Sequence, residues 1–127
     1  MFLLDTNALI TALVSPENLG SKTKRILQHE STVLFSSISL VEIQIKAMLG
    51  KLNSDLDFLD LSLRTGFEEL PFFAEASQEI SRFTSLAKHD PFDRMLLASA
   101  SHQRAKLVTS DQKLLNLGLD WVVDSRL

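Results

Sequence analysis

The chain has 127 residues, a formal net charge of −3, 45% hydrophobic and 23% charged residues, and no cysteine. A chain of this length buries roughly two-thirds of the surface it exposes when unfolded, so one domain spanning 1–127 is expected. The missing cysteines exclude disulfides and thiolate metal sites.

Phe2-Leu3-Leu4 is a short apolar run that reads as a buried strand, and helix-type sequence follows at once over 6–14, with Asp5 at the junction. Leu19, Thr23, Ile26 and Leu27 then mark a helix face, and 32–35 reads as a second strand. The stretch over 33–49 is the longest apolar one, but Ser, Glu, Gln and Lys interrupt it, which excludes a conventional membrane span. Leu56, Leu59 and Leu63 mark a further helix face, with Asp55, Asp57, Asp60 and Arg64 between them. Residues 67–70, ending at Pro71, suit an edge strand. Ala76, Ile80, Phe83 and Ala87 follow helical spacing, and 107–109 and 121–123 are the last two apolar runs. Strands alternating with helices imply a parallel sheet covered on both faces. The expected fold class is α/β, a three-layer α/β/α domain with a central, mainly parallel sheet. With no basic leader and an acid at position 5, no secretion signal is expected, and the protein reads as cytoplasmic.

Four acids draw the eye. Asp5 and Asp111 each follow an apolar strand and precede helical sequence, while Glu42 and Asp93 each sit one turn into a helix. Strands that deliver a carboxylate directly into a helix aim it at the carboxyl edge of the sheet, where open α/β folds place ligands. Four acids on one rim repel unless a positive object lies between them, and a divalent metal is the simplest. Each acid also has a purely structural explanation. Ser39-x-x-Glu42 fits a capping box, and Glu42 stands four residues before Lys46, the favourable orientation for a helical ion pair. Asp90-Pro91-Phe92-Asp93 is an N-cap, a proline and a first-turn acid, and Asp111 suits a cap. Capping and metal binding are compatible, because a carboxylate fixed by backbone donors is a well-oriented ligand. The net charge of −3 argues against a nucleic-acid partner, but cations on these acids would tip the balance slightly positive.

Other chemistry has less support. His29, His89 and His102 lack metal-ligand spacing, and His89, although it adjoins Asp90, reads as a solvated loop residue. The four glycines form no phosphate-binding loop, and no GxSxG elbow supports a Ser/His/Asp arrangement. The phenylalanines fall mostly on core positions and there is no tyrosine, so stacking platforms for single strands are not indicated.

Four blocks together resemble the PIN-domain ribonucleases of the VapC-type toxin family. They are Leu3-Leu4-Asp5-Thr6-Asn7; the segment 36–43 with Lys46 and Gly50-Lys51-Leu52 behind it; His89-Asp90-Pro91-Phe92-Asp93-Arg94-Met95-Leu96 followed by Ala98 and Ala100; and Leu107-Val108-Thr109-Ser110-Asp111. The resemblance spans nearly the whole chain and is most specific in the third block. It departs from the nearest subgroup at Lys88, where another polar residue or histidine is common, and at Asn7, where that subgroup often has histidine.

The resemblance implies hydrolysis of phosphodiester bonds in single-stranded RNA with one or two Mg²⁺ or Mn²⁺ ions. It makes Asp5, Glu42, Asp93 and Asp111 both the catalytic residues and the metal ligands. Thr6, Asn7, Asp90, Thr109 and Ser110 become supporting residues, with Asp90 better suited to capping than to catalysis. Lys46, Lys51, Lys88 and Arg94 are the basic candidates for holding RNA, although ordinary surface charge explains them equally. A cognate antitoxin protein and a homodimer are the implied partners, with no membrane association. The apolar helices around 43–52 and 56–63 offer contact surface, although core packing explains the same residues. The alternative is a catalytically inactive PIN-like module that binds RNA or protein. A haloacid-dehalogenase-type phosphotransferase also opens with a strand ending in Asp, but it needs a second acid where Asn7 stands, and a response-regulator receiver lacks its early acidic pair here.

Overall fold

The computed structural model describes residues 1–29, 32–52 and 55–127. Its elements run β1 (Phe2–Leu4), α1 (Thr6–Val14), α2 (Ser21–His29), β2 (Val33–Ser36), α3 (Ser37–Met48), α4 (Phe58–Thr65), β3 (Glu68–Leu70), α5 (Pro91–Gln103), β4 (Lys106–Thr109), α6 (Gln112–Leu115) and β5 (Val122–Asp124). Short 3₁₀ turns occupy Pro16–Asn18, Ala74–Arg82 and Thr84–Leu86. The five strands form one sheet in the order β3-β2-β1-β4-β5, and every neighbouring pair is parallel. Within the run 67–70, Glu68–Leu70 form an edge strand, as the proline that follows implies.

Alternation along the strands divides the core. Leu3, Leu34 and Leu107 point to one face, where Leu96, Leu97 and Ala100 of α5 and Leu114 of α6 cover them. Phe2, Leu4, Val33, Phe35 and Val108 point to the other, against Ala8 and Leu9 of α1, Ile43 of α3 and Phe58 of α4. Strands buried on both sides must be apolar throughout, which is why these short runs were legible as strands. The three-layer α/β/α arrangement follows directly. Among the described residues no helix is long and apolar enough to cross a membrane.

Chain order reverses between β1 and β4. The chain builds outward from β1 through β2 to β3, then returns to lay β4 on the other side of β1. Such a switch point opens a crevice beyond the carboxyl ends of the two strands. Leu4 is level with Val108, and the Asp5 amide continues the pairing by donating to the Val108 carbonyl (3.0 Å). The ends of β1 and β4 are thereby held side by side.

Three local expectations differ from the structure. Leu56, Leu59 and Leu63 do not face the core; they are 43%, 43% and 53% exposed. The helix is capped at Asp57, whose carboxylate accepts from the Asp60 amide (3.0 Å), and that start turns Phe58 and Ser62 inward instead. One aromatic ring in the core outweighs the competing leucines. The stretch 74–87 winds as 3₁₀ turns rather than an α-helix. Ser77 and Ser81 donate to the Ala74 and Gln78 carbonyls, offering the backbone a local alternative to α-helical bonding. Finally, Ser36 rather than Ser39 caps α3, accepting from the Ile38 amide (3.0 Å). No capping box forms at Glu42, because Ser39 lies inside the helix and its hydroxyl accepts from Thr6 (3.0 Å).

Candidate functional site

Asp5 leaves β1 and caps α1, its Oδ1 accepting from the Ala8 amide (2.7 Å). Its Oδ2 accepts from the Thr109 hydroxyl at the end of β4 (2.5 Å). The same Thr109 oxygen accepts from the Asp111 amide (3.0 Å), so one wholly buried hydroxyl ties the first acid to the last across the switch point. Asp111 caps α6 through Oδ1, which accepts from the Lys113 amide (2.8 Å), leaving Oδ2 to turn towards His89. Glu42 is buried on α3. Its Oε2 pairs with Lys46 at 2.7 Å, the ion pair that the i,i+4 spacing implies, while Oε1 is buried without a hydrogen-bond partner.

The carboxylates press on one another. Burial drives the Asp5 carboxyl up to about 6; its bonds from Thr109 and Ala8 pull it down, and the charges of Glu42 and Asp111 push it up again. Asp93 rises further, to about 8, through burial, a proton shared with Asp111, and the charges of Asp90, Asp5 and Asp111. Asp111 moves the other way. Burial raises it, but bonds from Lys113, Asp93 and His89 outweigh that and leave it below the usual carboxylate range. Lys46 is held above its ordinary value mainly by its bond to Glu42. An acid pushed up beside an acid pushed down marks a pair that holds one proton between two carboxylates.

The supporting residues divide. Thr109 bridges Asp5 and Asp111, and Thr6 fastens α1 to α3 through Ser39. Asp90 caps α5, accepting from the Phe92 and Asp93 amides at 2.8 and 3.4 Å, and its charge reaches Asp93. Asn7 and Ser110 make no side-chain hydrogen bond to the acids among the described residues. Of the basic residues, Lys46 is committed to Glu42, and Lys51 lies exposed just beyond α3. Arg94 lines a groove with Ile80, Ser81, Phe83, Thr84 and Ala87 that contains no acid. Lys88 lines a 430 Å³ cavity together with His89, Lys113 and Asn116.

His89 is not a solvated loop histidine. Its side chain is 11% exposed, and its Nε2 lies 3.1 Å from both Asp93 Oδ2 and Asp111 Oδ2. These three residues form a group able to hold a metal ion. The i,i+4 spacing from His89 to Asp93 was a usable signal, but Asp111 arrives from a different element and no local pattern reveals it. Lys113 and Asn116 were likewise invisible as neighbours of this region, because the cavity is made by two segments about thirty residues apart.

The donor set suits a divalent cation. Carboxylate oxygens are the ligands that Mg²⁺ and Mn²⁺ prefer, and the unpartnered Glu42 Oε1 is a buried acceptor in need of a positive partner.

A model of the PIN domain matches residues 2–118. Among curated proteins no match is found. Solved structures with this fold include VapBC2 from Rickettsia felis bound to a DNA fragment from their promoter, in which the similar chain gives a TM-score of 0.69 at 19% identity, covering 97% of this chain and 96% of that one. A toxin–antitoxin complex from Klebsiella pneumoniae gives 0.64 at 20% identity with 97% and 96% coverage. DNA-bound VapBC from Salmonella typhimurium gives 0.56 at 26% identity over 85% and 83%. With nearly its full length matched and its sheet, switch point and acids arranged as described, the chain belongs to the PIN domain family.

Proposed function

We propose that this protein is a divalent-cation-dependent endoribonuclease that hydrolyses phosphodiester bonds in single-stranded RNA, acting as the toxin of a toxin–antitoxin pair. One observation carries the reading. Burial and the charges of neighbouring acids raise the proton affinity of Asp5 and Asp93, and one oxygen of the buried Glu42 carboxylate stays unpaired. That arrangement is costly for a structural cluster and suits a cation site.

Asp5, Glu42, Asp93 and Asp111 would hold one or two Mg²⁺ or Mn²⁺ ions. When bound, such an ion supplies Lewis acidity to the phosphate and lowers the pKa of a water molecule. The chain's own residues do the positioning. Thr109 fixes the orientation of Asp5 relative to Asp111, and Lys46 holds one oxygen of Glu42, leaving the other available. Lys88 and Lys113 form no ion pair among the described residues, and both line a cavity with His89, whose ring lies against Asp93 and Asp111. They are the cations best placed to grip the RNA backbone.

An antitoxin partner is supported by the complexes in which the similar chains occur. It is also supported by the apolar side chains this protein leaves exposed: Val41, Ile45, Met48 and Leu49 on and just after α3, and Leu59 and Leu63 on α4. The same surfaces would serve a homodimer, and a cytoplasmic location fits an RNA substrate.

The test is incubation of the purified protein with structured and unstructured RNAs, with Mg²⁺, with Mn²⁺ and with EDTA, followed by sequencing of the ends. Cleavage that requires the metal and disappears in Asp5→Asn supports the proposal. Equal cleavage by parent and variant, or cleavage in EDTA, contradicts it. Metal binding and RNA retention without any cutting would favour an inactive binding module.

A further inference from the structure

We infer that His89 is itself a ligand to the cation, making the centre a mixed nitrogen–oxygen site that takes Mn²⁺ in preference to Mg²⁺. The inference rests on the cation site proposed above and adds to its all-carboxylate ligand set.

The geometry around the ring carries the argument. His89 Nε2 lies 3.1 Å from Asp93 Oδ2 and 3.1 Å from Asp111 Oδ2. A single ring nitrogen has either one hydrogen or one lone pair, so it makes one good hydrogen bond. Two carboxylate oxygens at the same distance are one more than it can serve. Three ligand atoms around a common cation resolve the surplus. Atoms 3.1 Å apart, each bonded to a metal at about 2.1 Å, subtend about 95° at that metal, close to the angle between adjacent positions of an octahedron.

Each donor is held by another part of its residue. The Asp111 Oδ1 is engaged by the Lys113 amide, so Oδ2 is the free oxygen. Asp93 is fixed one turn into α5 behind the Asp90 cap, and the His89 amide donates to the Leu86 carbonyl (2.8 Å). Side chains 11%, 21% and 24% exposed are screened from bulk water yet reachable by an ion. A second feature points the same way: Glu42, whose charge reaches Asp5, keeps a buried oxygen without a partner.

Ligand chemistry then sets the preference. Mg²⁺ favours oxygen donors and retains its water, whereas imidazole nitrogen suits first-row transition ions. A site of carboxylates alone discriminates weakly between Mg²⁺ and Mn²⁺; replacing one oxygen by nitrogen favours Mn²⁺.

The test is pulsed electron paramagnetic resonance on the full chain loaded with Mn²⁺, paired with calorimetric titration of Mn²⁺ and Mg²⁺. The parent should show the nitrogen modulation of a directly bound imidazole and bind Mn²⁺ at least about tenfold more tightly than Mg²⁺. His89→Gln should lose the nitrogen signal and about tenfold or more of its Mn²⁺ affinity, with Mg²⁺ binding little changed. His29 and His102 remain in that variant, so any signal they contribute persists. Bound Mn²⁺ with no nitrogen modulation in the parent, a measurement that needs no variant, overturns this inference alone and leaves the carboxylate site standing. No Mn²⁺ binding at all overturns both.

Discussion

At the residue scale, the account turns on what the acids do when no cation is present. Asp5 and Asp93 hold their protons to about 6 and about 8 in the fold, against an ordinary value of 3.8 in the unfolded chain. Groups with raised folded values favour the folded state most below pH 3.8, and that contribution is lost as the pH climbs through the folded values. For Asp5 the loss is on the order of 3 kcal/mol. Asp111, which is depressed, acts in the opposite direction at the acid end. The metal-free protein should therefore melt at progressively lower temperature as the pH rises from 5 to 9 in EDTA. Added Mn²⁺ should restore the loss, and Asp5→Asn should remove the part that falls near pH 6. A melting temperature independent of pH across that range would show that the carboxylates do not strain one another.

Thr109 supplies a second residue-scale prediction. Thr109→Val keeps the volume but removes the hydroxyl that joins Asp5 to the Asp111 amide. RNA cleavage should fall by roughly 10–100-fold while circular dichroism stays native-like, as expected when a ligand loses its orienting partner. The resemblance placed Thr109 among the supporting residues, in the block that ends at Asp111. That its hydroxyl reaches Asp5, 104 positions earlier, depends on β4 pairing with β1. His89 was misread for a related reason: its burial comes from Asp93 and Asp111 together, and only the fold unites them.

At the scale of elements, the chain was most legible where burial is two-sided. Runs such as Phe2–Leu4 and Leu107–Thr109 contain no polar face to confuse with a helix, and each is followed by an acid that stops the strand and caps what comes next. It was least legible where one pattern serves two outcomes. Leu56, Leu59 and Leu63 have the spacing of a buried face, but periodicity does not reveal that Phe58 takes the core position. Ser36 and Ser39 are both competent caps, and strand β2 ending at Ser36 decided between them. The end of the chain offers an element-scale test. Gly20 and Thr23 donate backbone bonds to the Ser125 and Leu127 carbonyls (3.0 Å each), pinning the C-terminal segment to the start of α2. A methyl group at Gly20 would overlap the Leu127 carbonyl. Gly20→Ala should cost about 1–3 kcal/mol, the usual range for overpacking, and lower the melting temperature by several degrees. An unchanged melting temperature would mean that this contact contributes nothing in solution.

Across the whole molecule, a net charge of −3 must be reconciled with the proposed RNA substrate. Neutralising the acids with cations leaves Lys88 and Lys113 as local positive charge beside them. In the Asp5→Asn background, which should bind RNA without cutting it, Lys88→Ala with Lys113→Ala should weaken binding to all sequences alike. The same pair should reduce the slope of log affinity against log salt by about two. An unchanged slope would move the RNA path elsewhere on the surface.

The most direct measurement is anomalous diffraction from a crystal of the protein soaked in manganese. An ion bounded by the carboxylates at positions 5, 42, 93 and 111, with the imidazole at 89 in its coordination shell, is the result this account requires. Manganese bound at some other surface, with those side chains left to one another, would contradict it.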